Sequence, residues 1–472
     1  MLLIAGAVVL VLVAVSTRYG WHRDELYFRA AGEHLSWGYL DQPPFTPFVA
    51  RVAEGIAPNS LFVLRLLPAF TTAVTIVFGA LIVREFGGPP RAQIAGAAAV
   101  AAGGFALGVG HLLSTAVFDL TVWMALLWLS ARLLRTGDGR WWIAFGAVAG
   151  FSMLNKNVLV LLGAALLGGL LVERRWDLLR SRWLLLGAVI AVAIAAPNLV
   201  WEAQHGWPQF EMARVLSKRL AGEDRLMLLP LQLLLIGPAL VFLLWRGARW
   251  LARDPSAQRF RALLWAWPAA LIVTFATGGR PYYPIPLTIT VMLAGVVASE
   301  HASKARALSW FIAANALISL PIALPLLPLS AGTANLNEAV AETVGWPELT
   351  RQVADVVSAL PPTERATVVI LTATYGEAGA IDRFGASLGL PPAYSPHNSY
   401  ADFRQPIDDG ATVVAVRYSV DDLASYFDRC QQIATVDNRH DVDNEAQGKP
   451  ILICRGLHGH WSDAWKRMRF LS

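Results

Sequence analysis

Eleven long apolar runs punctuate this chain, and no other feature limits its fold as strongly. They cover 2–15, 61–83, 92–110, 115–134, 141–155, 158–172, 183–201, 226–245, 262–277, 282–298 and 307–329. A helix crosses the hydrocarbon core of a bilayer with roughly 17–25 apolar residues. Lipid offers no partner to backbone polar groups, so such runs fold as helices that satisfy their own hydrogen bonds. Composition agrees. The chain is 55% hydrophobic and 15% charged, against about 25% charged in soluble domains. Its 18 tryptophans suit headgroup-level positions. The expected class is a polytopic α-helical membrane protein with about eleven transmembrane helices. The first run is short: about 21 Å of helix against a core of about 30 Å. No Lys or Arg precedes it, so it reads as a shortened span rather than a cleaved signal peptide.

The connections sort by sign. The stretches 84–91, 132–140, 173–182, 246–261 and 301–306 are Arg-rich for their length. They alternate with 111–114, 154–157, 202–225 and 277–283, which are less basic or carry matching acids. The positive-inside rule puts the first set in the cytoplasm. The loop 16–60 and the tail beyond 330 then lie outside. A net charge of +5 placed in such loops reports membrane orientation, not nucleic-acid binding.

The sequence divides into a transmembrane domain, 1–330, with its first outer loop at 16–60, and an extracytoplasmic α/β domain, 331–472. In the tail, "ATVVILTATYGEAGAIDRFG" reads as strand, turn and helix, and "ATVVAVRY", "QQIATVD" and "PILICRG" as strands. Cys430 and Cys454, the only cysteines, both lie there. Outside the cytoplasm they form a disulfide or remain two buried thiols; spacing alone does not choose.

Polar residues gather on the expected outer side. "WHRDELYF" places His22, Asp24 and Glu25 just past the first span. On a short helix, neighbouring residues point about 100° apart, so the two carboxylates do not share a target. One faces a cavity while the other caps the helix or pairs with Arg23 or Arg29. Asp41 and Gln42 follow in "LDQPPFTPF", where the prolines fix an elbow. His111 ends the third span and Asp119 opens the fourth. Lys156 sits in "LNKN", and Arg280, Tyr282 and Tyr283 sit in "GGRPYYPIP". An ionisable residue inside a span is a functional candidate by default. Lys156 also fits headgroup snorkelling, and the Arg-Tyr-Tyr set fits an interfacial anchor. A carboxylate set against cations suits sugar transfer from a lipid phosphate. The carboxylate takes the acceptor's proton, and the cations hold the departing phosphate.

The ordered motifs "YGWHRDELYFRAAGEHLSWGYLDQPPFTPFVARVA", "HLLSTAVFDLTVW", "GFSMLNKNVLVLL", "PNLVWEAQHGWPQFE" and "RPYYPIPL", continued in the tail by "YGEAGAIDRFG", "HNSY" and "DNEAQGKPILICRG", resemble a known family. It is the bacterial protein-mannosyltransferase-like enzymes, integral-membrane glycosyltransferases of the GT-C fold. These are related to glycosyltransferase family 39 and to the aminoarabinose transferase of lipid A. The resemblance implies a polyprenyl-phosphate-sugar donor and a multi-pass protein of the bacterial cell membrane, with the active site on the extracytoplasmic side. It also implies a catalytic base at Asp24, with Glu25 completing the Asp-Glu pair. Donor-phosphate contacts are expected from Lys156, Arg280, Tyr282, Tyr283 and Gln42. His22, Asp41, His111 and Asp119 are pocket candidates. Gln42 departs from the family, which often has Lys before the Pro-Pro pair; an amide donates hydrogen bonds but supplies no charge.

The acceptor stays open among glycan, protein and lipid, and membrane lipids are expected partners. No cofactor is required by the sequence. His22, Asp24, His111 and Asp119 leave a divalent metal ion open. The Asp-Val-Asp triplet at 441–443 matches a nucleotide-sugar pattern too short to weigh. The alternative function is a transporter or flippase of lipid-linked sugars. Inverted repeats and midplane sites are not evident in the sequence.

Overall fold

The computed structural model describes residues 1–301 and 305–472. The inner turn expected at 301–306 therefore falls, at 302–304, outside the described residues. The chain forms two compact units.

The first unit comprises Met1–Ser16, Gln42–Phe45 and Arg65–Leu324, and it is helical. Among the described residues, five helices are long and apolar enough to cross a membrane: Leu61–Glu85, Thr115–Thr136, Arg182–Gln204, Pro255–Thr277 and Arg306–Ala323. Four shorter apolar helices are Leu2–Val15, Trp141–Met153, Leu159–Val172 and Ile285–Glu300. Two further pairs are bent: Pro90–Ala101 with Gly104–His111 by 58°, and Pro208–Ile236 with Pro238–Arg253 by 84°. The second bend falls at Gly237, whose φ of +104° favours glycine, and Pro238 cannot donate to the preceding turn. The run expected at 226–245 thus straddles a bend, and most of the loop expected at 202–225 is helix from Pro208 onward. Its charges masked a helical segment. Asn315 serves both breaks from within the bundle. Its Nδ2 donates to Ala102 O at 2.9 Å, and its Oδ1 accepts from Ala239 N at 3.2 Å. Away from water, freed backbone groups need partners of this kind.

Small residues let the helices approach closely, as expected where lipid supplies no hydrophobic drive. A Cβ at Gly146 would lie 2.0 Å from Gly187 O, one at Gly169 2.0 Å from Ala262 O, and one at Gly247 1.9 Å from Val291 O. Glu85, 2% exposed, receives Arg132 Nη1 at 2.8 Å and Arg135 Nε at 2.5 Å. Two cations thus offset one buried acid at the end of its helix.

The second unit comprises Thr17–Asp41, Thr46–Leu64 and Pro325–Ser472. Most of the loop read at 16–60 thus packs with the C-terminal residues. Five strands form one mixed sheet: β1 (Val369–Thr372), β2 (Ala393–Tyr394), β3 (Val413–Val416), β4 (Phe427–Thr435) and β5 (Pro450–Leu457). Their order is β2-β1-β3-β5-β4, with β1 parallel to β2 and β3, and β5 antiparallel to β3 and β4. The two central strands β1 and β3 are buried throughout, as two-sided strands are. Cys430 faces Cys454 across β4 and β5, and the two form a disulfide. It spans 24 residues, so replacing both cysteines with Ala should lower stability by about 3 kcal/mol. Thermal unfolding of the full-length protein measures this. An unchanged transition would show that the bridge adds no stability.

Helix Arg23–Glu33 packs against helix Tyr375–Phe384 through two glycines. A Cβ at Gly379 would come within 2.9 Å of Leu26 Cβ, and one at Gly376 within 3.1 Å of Arg23 Cβ. The "YGEAG" stretch is small where it must be, and this brings the start of one helix against the start of the other.

Candidate active site

Helix Arg23–Glu33 begins with a capping box. Asp24 N donates to His22 Nδ1 at 3.1 Å, and His22 N donates to Glu25 Oε2 at 2.8 Å. The box satisfies amides that the first turn leaves without helical partners. Glu25 is fully buried in this role. Asp24, its neighbour, points elsewhere and keeps 31% of its side chain exposed. Its Oδ1 accepts from the Tyr375 hydroxyl at 2.9 Å and lies 3.7 Å from Arg23 Nε. Its Oδ2 is 3.8 Å from His22 Nδ1, beyond hydrogen-bond distance. One acid therefore caps and the other is presented, the split that helical geometry demands of adjacent residues.

Around this carboxylate the charges interlock. Arg23 pairs with Glu445, which also accepts from Arg417 Nη1 at 2.7 Å. Arg417 continues to Glu377 at 3.2 Å, and Glu377 closes a capping box with Thr374 at the start of the Tyr375 helix. Burial pushes the Glu445 carboxyl up, but the two guanidiniums outweigh it and hold it at about 2. Glu342, nearby and 4% exposed, goes the other way. Burial raises it to about 7, with Arg23 offsetting only part.

Asp41 accepts from the Tyr27 hydroxyl at 2.6 Å. Burial raises its carboxyl to about 6, against the lowering effect of that hydrogen bond. An acid raised in the fold stabilises it fully below its unfolded value, and that contribution is lost as pH rises through the folded value. Asp41 should therefore add stability as pH falls from about 6 toward 4. Asp41→Asn should flatten the melting temperature over that window. A slope equal to wild type would remove Asp41 as its source.

In the first unit, Lys156 Nζ donates to the Tyr282 hydroxyl at 3.0 Å. It sits 4.9 and 5.0 Å from the Tyr282 and Tyr283 ring centroids. The Asp119 charge acts on the same ammonium, and Asp119 is 6% exposed with its Oδ1 unpartnered. Gln42 is 5% exposed, and its Nε2 has no hydrogen-bond partner. Its segment is pinned where Phe45 N donates to Leu154 O at 3.0 Å and the Phe45 ring meets Phe118 and Phe151. Arg280 lies 3.3 Å from Asp224, an acid buried to 6% exposure. The Tyr-Tyr turn is held by Gln232 Nε2 donating to Pro281 O at 2.5 Å. His111 contacts Arg65 Nη1 at 3.2 Å, and that guanidinium also donates to Ser16 O. A groove of about 810 Å³ lies elsewhere in this unit, lined mainly by residues such as Ile4, Val8, Ile94 and Ile312. None of the site residues expected from sequence line it, so it is not taken as the reacting site.

Residues 41–201 match the family model described as dolichyl-phosphate-mannose-protein mannosyltransferase. The chain also superposes on ArnT from Cupriavidus metallidurans bound to undecaprenyl phosphate. The TM-score is 0.61 at 16% identity, over 96% of this chain and 97% of that one. The fold is that of ArnT. The apo form of the same protein gives a TM-score of 0.58 with the same identity and coverage. No curated protein sequence matches the chain. The resemblance to PMT- and ArnT-type GT-C glycosyltransferases, read first from loop motifs, is supported by the family model and by the fold. The chain is a multi-pass membrane protein of this fold. The matched segment holds Asp41, Gln42, His111, Asp119 and Lys156 but ends before Arg280 and begins after Asp24.

The ArnT-like fold thus gathers His22, Asp24, Glu25 and Asp41 in one unit. It gathers Gln42, His111, Asp119, Lys156, Arg280, Tyr282 and Tyr283 in the other. Among the described residues no group of three or more His, Cys, Asp or Glu is arranged to hold a metal ion. Sequence reasoning did not single out Tyr375, Glu445, Arg417 or Asp224. The first three lie hundreds of residues from Asp24. Asp224 carried a weak signal in "GEDR", an acidic pair in a stretch expected to face water.

Proposed function

We propose that this protein is a membrane glycosyltransferase that moves a sugar from a polyprenyl-phosphate-linked donor to an acceptor hydroxyl outside the cytoplasm. The observation that carries it is Asp24: a carboxylate tethered through one oxygen, with the other oxygen presented. In this reading the acceptor hydroxyl gives its proton to Asp24 Oδ2. The acceptor oxygen then bonds to the anomeric carbon, and the bond from that carbon to the phosphate oxygen breaks. The electron pair leaves with the polyprenyl phosphate, whose negative charge grows as it departs. Lys156 neutralises that charge, steadied by Tyr282 and Tyr283. Gln42 brings a buried amide donor still lacking an acceptor, which a phosphate oxygen would satisfy. Arg280 acts more weakly, because Asp224 already offsets its charge. Glu25 keeps its capping role, so the base role falls to Asp24 alone.

Polyprenyl phosphate is proposed by likeness to ArnT bound to undecaprenyl phosphate. Among the described residues, five helices are long and apolar enough to cross, or up to seven if each bent pair is one span; the larger number of spans rests on the apolar runs and the alternation of basic loops. The alternation supports an outer position for 331–472 and Asp24, and the likeness to ArnT supports a bacterial cytoplasmic membrane. A deletion strain tests the reading. Mass spectrometry of its envelope glycans, glycoproteins and lipids should show one sugar substituent missing. An envelope unchanged in every fraction would argue against transfer.

A further inference from the structure

Four aromatic rings form a continuous stack beside Asp24. Tyr27 stacks on Tyr375 with centroids 4.5 Å apart, Tyr375 on His397 at 4.6 Å, and His397 on Phe470 at 4.7 Å. Interplanar angles are 23°, 8° and 5° along the column. Two of its polar groups are tied down. The Tyr27 hydroxyl is held by Asp41, and His397 Nε2 bonds the Ser472 hydroxyl at 2.6 Å. Tyr375 N donates to His397 Nδ1 at 3.4 Å, which aligns the two rings. A ring fixed on both faces has little freedom to turn, so its hydroxyl is aimed, and the atom it is aimed at is Asp24 Oδ1.

From this geometry we infer that Tyr375 is the positioning residue for Asp24: its stacked phenol fixes Oδ1 and leaves Oδ2 as the proton-accepting oxygen. The inference rests on the base role proposed for Asp24. Orientation of the carboxylate is worth rate because a base misplaced by about 1 Å loses much of its advantage. The phenol is suited to the task. Burial, then the Asp24 charge, hold its proton well above the ordinary range, so it stays a donor whenever Asp24 is ionised. The titratable and charged groups that act on this pair are Arg23, His22, Asp41, Glu342 and His397. None of them replaces the phenol's hydrogen bond.

Tyr375→Phe in the full-length protein keeps the stack and deletes the hydroxyl. Transfer is followed in proteoliposomes with a panel of undecaprenyl-phosphate-linked hexoses and pentoses as donors. The expected result is a kcat about tenfold lower, the scale of one lost hydrogen bond, with the donor KM unchanged. The infrared band of the carboxylate, identified by its loss in Asp24→Asn, should change position in Tyr375→Phe without any substrate, because one oxygen has lost its hydrogen bond. A Tyr375→Phe protein with wild-type kcat and an unmoved band would overturn the inference. So would a variant that only melts earlier, since a packing role alone predicts that. If Asp24→Asn itself stays active, the base reading fails first and takes this one with it. If Asp24→Asn is inactive while Tyr375→Phe behaves as wild type, only the positioning role fails.

Discussion

Asp24→Asn should lower sugar transfer by about a thousandfold, within the range that a positioned general base contributes, while the protein inserts and folds as wild type. Asn keeps the size of the side chain, and its amide oxygen still accepts from the Tyr375 hydroxyl. What it loses is the ability to take a proton. A third of this side chain is exposed, so its replacement leaves no buried group stranded and little stability is at stake. Donor binding should be near normal, because Asp24 is assigned no contact with the leaving phosphate. The signature is therefore a fall in kcat at almost constant donor KM, read beside an unchanged melting temperature. Loss of donor binding instead would place Asp24 in recognition rather than in proton transfer.

Lys156→Met should cost about a hundredfold in kcat/KM for the donor. The side chain is closely enclosed: a hydroxyl at 3.0 Å and two ring faces near 5 Å hold the ammonium. A lost charged contact to the departing phosphate is on that scale, and the variant also leaves behind a buried acid whose charge Lys156 offsets. That acid is Asp119, buried to 6% exposure. Lys156→Met should therefore also lower the melting temperature. A second substitution separates the two effects. Lys156→Met with Asp119→Asn removes both charges, so stability should return while donor use stays low. Recovery of transfer in the double variant would show that Lys156 serves the fold and not the phosphate. Lys156→Arg should rescue poorly, since the larger planar guanidinium does not fit the space of a compact ammonium between two rings.

The parts of this fold that were legible in the sequence are those written locally. Apolar runs located the helices because each must satisfy its own backbone in lipid. The strands at Val369–Thr372 and Val413–Val416 stood out as unbroken β-branched and aliphatic stretches. Adjacent Asp24 and Glu25 were expected to point at different targets, and they bond different partners: Glu25 the His22 amide, Asp24 the Tyr375 hydroxyl. What stayed hidden depends on distant partners. Tyr375 meets Asp24 across 351 positions, and no local pattern encodes that pairing. The glycines of "YGEAG" were visible, but the helix they make room for was not. The same holds for the packing of 17–41 and 46–64 with the C-terminal residues, which unites segments that hydropathy assigns to separate domains. Helix breaks were masked differently. Gly237 and Gly103 sit inside stretches whose hydropathy runs on without interruption, so a bend of 84° or 58° leaves the apolar signal intact.

Reconstitution gives the most direct measurement of the central claim. Purified protein in proteoliposomes is supplied with the panel of undecaprenyl-phosphate-linked sugars and a detergent extract of cell envelope as acceptor. Free undecaprenyl phosphate is then counted against sugar transferred. Wild type should release one lipid phosphate for each sugar attached, and Asp24→Asn should release almost none. Movement of intact donor across the bilayer without release, or equal release by the two proteins, would contradict the account.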